Sequence, residues 1–176
     1  LISDVNVTLS ISGGFNGDLY AWLSHGSGLC VLLNRVGVSS TSSVGYANPG
    51  FGLDAQQNKF TLDDQAARDV HFYQTGSFAL NGSGQLTGVW QPDGRILDPE
   101  SAGSLFATAS RTNQLNVFNG MDPNGQWTLY VADMSSGDIS TLTGWSLQIE
   151  VVPEPSLFAL ASLGTAALMI SRRHRR

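Results

Sequence analysis

Val5, Val7, Leu9 and Ile11 fall on every second position of the segment 4–12, with polar residues between them. A period of two sends successive side chains to opposite faces of an extended strand, so this segment buries one face and wets the other. The same reading predicts strands at 17–24, 28–36, 77–80, 85–90, 114–118, 126–133 and 142–151. Between them lie Gly13-Gly14, Asn16-Gly17, Asn81-Gly82, Asp93-Gly94, Asn119-Gly120 and Asn124-Gly125. Such dipeptides supply the positive φ that tight turns need. Residues 37–59 are rich in Ser, Gly and Asn and read as loop. Short strands at this spacing predict an all-β chain, a sandwich or jelly roll of one domain.

Charge is unevenly placed. All 14 Asp and Glu residues lie at or before Glu154, whereas four of the nine Lys and Arg residues are Arg172, Arg173, Arg175 and Arg176. The chain up to Glu154 thus carries five basic against fourteen acidic residues, a net of −9. Such a body repels nucleic acid and suits cations or basic partners. The one cysteine, Cys30, excludes an intrachain disulfide. It lies in the apolar run 29–33, which predicts a core position. The chain opens on Leu1, which reads as a processed or trimmed start; no signal peptide is visible.

From Pro155 to Ser171 there are 17 residues without a charge. As a helix this stretch would span about 26 Å, the short end of what crosses a bilayer. The basic run 172–176 closes it, and arginines there resist translocation, so the terminus is expected to stay cytoplasmic. Upstream, Pro153-Glu154-Pro155 forbids helix and strand and holds the backbone extended, a form a processing protease can grip. The Pro-Glu-Pro triplet, apolar stretch and arginine cluster, in that order at the C-terminus, resemble the PEP-CTERM sorting signal of Gram-negative bacteria. The resemblance implies recognition by an exosortase, cleavage near the triplet, and export to the envelope or an exopolysaccharide matrix. The domain reading is residues 1–151 for the sandwich and 152–176 for a sorting tail with a single transmembrane helix.

Two stretches of the body carry a second resemblance. One is 16–26 with the strand through Leu33; the other runs from Phe118 through Trp127–Asp133 and Gly137-Asp138 to Trp145–Ile149. With the middle segment 60–66 they are similar to the P domain (P/Homo B) that follows the catalytic domain of proprotein convertases and some subtilisin-like proteases. The resemblance covers residues 3–150 and implies an eight-strand, galactose-binding-like jelly roll. Trp127 and Trp145 match core positions of that family. The turn Ser24-His25-Gly26 departs from it, and the loops 37–59 and 92–112 look divergent.

No nucleophile elbow, zinc-protease helix, CxxC or phosphate loop is present. His25 sits in a turn, His71 follows Asp69, and His174 lies in the arginine tail, so no enzyme is expected. Among the acids, Asp18, Asp133 and Asp138 stand near strand ends. They read either as turn caps or, as some P-domain-like modules suggest, as calcium ligands. Trp90, beside Pro92 and the Asp93-Gly94 turn, is the tryptophan most open to a sugar-stacking role. Three readings follow: a structural or adhesive surface module, a carbohydrate-binding module, or the accessory P domain of a subtilisin-like serine protease.

Overall fold

The computed structural model describes residues 1–54 and 59–152. Among them the chain is all-β, with eight strands: β1 Ile2–Ser12, β2 Leu19–His25, β3 Gly28–Asn34, β4 Gly50–Phe51, β5 Thr61–Leu62, β6 Val89–Trp90, β7 Trp127–Asp133 and β8 Thr141–Val151.

The strands form two sheets. In the first, β1 pairs along one side with β8 and along the other with β4 and β5, and β5 pairs in parallel with β6. The second runs β3-β2-β7, all antiparallel. The period-two residues of β1 explain the packing. Val5, Val7, Leu9 and Ile11 are all buried and meet Leu19, Ala21 and Leu23 of β2 in a single core. One apolar face per sheet pressed against the other is what makes a sandwich. β3 is different: Cys30 to Asn34 are buried without alternation. Its far side is bonded by the segment 93–113, through Asp93 N to Leu32 O, Gly94 N to Val31 O and Val31 N to Asn113 O. Its outer edge is therefore paired, and the burial of consecutive residues from Cys30 on matches the continuous apolar run.

The expected strand at 114–118 is a 3₁₀ turn, Leu115–Phe118. Leu115 and Phe118 are both buried, and the three-residue spacing places them on one side of that tighter helix. Residues 77–80 contribute only an isolated bridge, Leu80 to Leu86. Gly17 is not a positive-φ turn; it is needed because the Val44 carbonyl lies 2.2 Å from where a Cβ would stand. Gly94 does adopt the left-handed form, at φ 71°. Among the described residues no helix is long and apolar enough to cross a membrane. The expected span 155–171, the triplet Pro153-Glu154-Pro155 and the terminal arginines lie outside them.

Candidate functional site

The predicted site residues scatter. Trp90 is buried, and its indole Nε1 donates to Thr87 O at 2.9 Å. The Arg68 guanidinium covers its ring at 4.6 Å. A sugar needs an open ring face, so Trp90 is a core residue and not a stacking platform. Trp145 corrects the opposite way: expected in the core, it is 40% exposed.

Asp18 and Asp133 do converge, since Leu19 faces Asp133 in the β2–β7 ladder and Met134 N donates to Asp18 O. The Asp133 carboxylate accepts from Ser135 N at 3.3 Å and Ser140 N at 3.2 Å, which closes the turn between β7 and β8. Among the described residues no three His, Cys, Asp or Glu side chains gather into a metal-holding group. A calcium ion wants six to eight oxygens, loop carbonyls included, and of the three acids Asp133 is engaged with the Ser135 and Ser140 N–H groups.

A buried charge network lies along the outer edge of β3. His71 Nδ1 bonds Asp93 Oδ2 at 2.7 Å, and both side chains are fully buried. Asp93 Oδ1 also meets Arg95 at 3.1 Å, and Arg95 reaches Asp69 Oδ2 at 2.7 Å. Arg111 adds bonds to the carbonyls of Pro92 and Asp93 and to Gln91 Oε1. Burial disfavours the Arg95 cation, but the Asp69 and Asp93 carboxylates outweigh it and hold its pKa above the ordinary value. The His–Asp pair resembles two parts of a serine-hydrolase triad. However, the Nε2 that would face a nucleophile is directed at Val38 O, 2.9 Å away, with no solvent access. Sequence spacing gave no sign of this network, because its members come from segments far apart in the chain.

His25 is likewise engaged. Its ring lies flat on Trp127, with centroids 4.0 Å apart and planes within 4°. Nε2 faces Asp122 O at 2.7 Å and Nδ1 faces Gln126 O at 3.1 Å. Both carbonyls only accept, and which ring nitrogen donates depends on the tautomer. The ring clasps the loop 122–126 onto β2.

The most open feature is the flank where the two sheets end in β7 and β8. Leu129 and Val131 of β7 and Leu142, Trp145, Leu147 and Ile149 of β8 point inward by register. Their neighbours on β1 and β2 are fully buried, whereas Leu142, like Trp145, is 40% exposed. A cleft of about 370 Å³ opens here, lined by Leu129, Tyr130, Val131, Asp133, Ser140 and Leu142 over a floor of Ile11 and Leu19.

Residues 94–149, which span Arg95, the 3₁₀ turn, β7 and most of β8, match the family model of the proprotein convertase P-domain. Residues 151–176 match the PEP-CTERM protein-sorting motif. The chain is thus similar to a P-domain over 94–149 and to a PEP-CTERM sorting motif over 151–176. The P-domain match is narrower than the 3–150 over which the resemblance was read, and it rests on the most specific part, the two tryptophan-bearing strands. No curated protein and no solved structure matches the chain. The PEP-CTERM motif is a signal for exosortase recognition, export and transient membrane anchoring in Gram-negative bacteria.

Proposed function

We propose that this chain is a non-catalytic, jelly-roll P-domain module that an exosortase releases near Pro153-Glu154-Pro155, and that it serves in the envelope or matrix as a structural or adhesive unit. The observation that carries the reading is positional. The sorting match begins at residue 151, the residue at which β8 ends. Cleavage at the triplet would leave every described strand on the released side. The acidic body suits basic or cation-bridged neighbours, an exopolysaccharide among them.

The test is to replace the Pro-Glu-Pro triplet by three alanines in the exporting host and follow the chain by mass spectrometry. The reading requires the native chain to lose its tail and the variant to keep it in the membrane fraction.

The P-domain match favours one further reading, an accessory role beside a subtilisin-like catalytic domain. The complete gene decides this: a preceding region with Asp, His and Ser protease motifs supports it, and a preceding region without them refutes it.

A further inference from the structure

We propose that the β7–β8 flank is a docking groove for an extended, cationic peptide segment, which adds to the sheet along the free edge of β8. Three observations point there. First, among the described strands β8 pairs only with β1, and β7 only with β2, so each is an edge. From Gly144 to Glu150 the register of β8 is unbroken, giving seven residues of backbone whose outer polar groups lack a strand. Edges this long are normally shortened, bulged or guarded by Lys or Pro. Here the ladder is irregular only at its two ends, near Thr143 of β8 and Ser3 of β1, and the edge carries no Lys, Arg or Pro.

Second, the inward residues Leu142, Trp145, Leu147 and Ile149 leave a half-open apolar row beside the cleft. An added strand would lay every second side chain against that row, which is how strand addition gains specificity.

Third, charge selects the occupant. From residue 112 to 152 the chain has four carboxylates, Asp122, Asp133, Asp138 and Glu150, and no Lys, Arg or His. A second copy would bring the same four carboxylates and no cation. A strand alternating apolar and basic residues satisfies both the apolar row and its acidic surroundings. The inference does not depend on the sorting reading, and either can fail alone.

The probe is a ten-residue synthetic peptide alternating valine with lysine or threonine. It is titrated onto the full-length protein in phosphatidylcholine nanodiscs, with empty nanodiscs as the blank. Two companions carry glutamate for lysine or N-methyl groups along one backbone edge. The expected result is binding by the lysine peptide at least tenfold tighter than the glutamate peptide at low salt, with the gap narrowing in high salt. The N-methylated peptide fails to bind, and hydrogen exchange slows along β8. Glu150→Lys, at an exposed position, weakens binding several-fold with an unchanged melting temperature; Trp145→Thr weakens it without altering charge. The proposal is overturned if β8 amides exchange at the same rate with and without peptide, if the N-methylated peptide binds as well as its parent, or if β8 is already protected by self-association.

Discussion

His71 and Asp93 meet at 2.7 Å through Nδ1 and Oδ2 with neither side chain exposed, and Asp93 shares its other oxygen with Arg95. Removing Asp93 leaves the buried His71 Nδ1 without its partner and Arg95 with Asp69 alone. Asp93→Ala should therefore destabilise the fold by about 3–5 kcal/mol, whereas an exposed acid such as Asp138 changed to Ala should cost about 0.5 kcal/mol or less. Urea denaturation of the two variants measures the difference.

Asp64 accepts from Leu115 N at 3.0 Å and Asn116 N at 2.7 Å, and so caps the 3₁₀ turn that closes the core. Partial burial raises its pKa, against the lowering effect of those two backbone bonds. With the folded value above the unfolded one, the ionised carboxylate disfavours folding at neutral pH. That penalty lifts as pH falls through the raised value towards the ordinary carboxylate range. Asp64→Asn, which keeps one acceptor without the charge, should flatten this acid-side gain in thermal melts. Asp64→Ala should lose about 1–2 kcal/mol, the loss growing as pH falls through the raised value because the variant lacks the acid-side gain.

Cys30 is fully buried in β3, and burial pushes its thiol well above the usual range, with Asp64 and Asp93 adding to the effect. The thiolate is the reactive form. Thiol reagents should leave native protein untouched and label it only as it unfolds, so labelling rates in mild denaturant should track unfolding rates.

The stacked His25–Trp127 pair fixes the loop 122–126. His25→Phe retains a ring on Trp127 but removes both ring nitrogens, leaving the Asp122 and Gln126 carbonyls without their partner. Loop amides should exchange faster by roughly tenfold, equivalent to about 1.4 kcal/mol, while β1 and β2 amides keep their protection.

Which parts were readable in the sequence follows from range. β1, β2, β7 and β8 were legible from the alternation of apolar and polar residues, and β3 from its continuous apolar run. Leu115 to Phe118 misled because an apolar cluster of that length fits a strand as well as a 3₁₀ turn; the deciding cap, Asp64, lies some fifty residues upstream. Trp145 and Trp90 exchanged roles for a similar reason. Trp145 sits on the inner face but on an edge strand, and Trp90 sits beside a turn yet under Arg68. Alternation tells which face a side chain takes, not whether the strand is an edge. The clasp of His25 and the ion network of His71 were invisible, since each depends on segments brought together only by the fold.

The account rests on the tail directing release of a folded sandwich. Mass spectrometry of the chain from an exporting Gram-negative host, with and without its exosortase gene, tests this most directly. The expected result is a product ending near Pro153-Glu154-Pro155 in the envelope or medium of the parent, and an uncleaved, membrane-held chain in the deletion strain. An uncleaved chain in the soluble cytosol of both strains would contradict it.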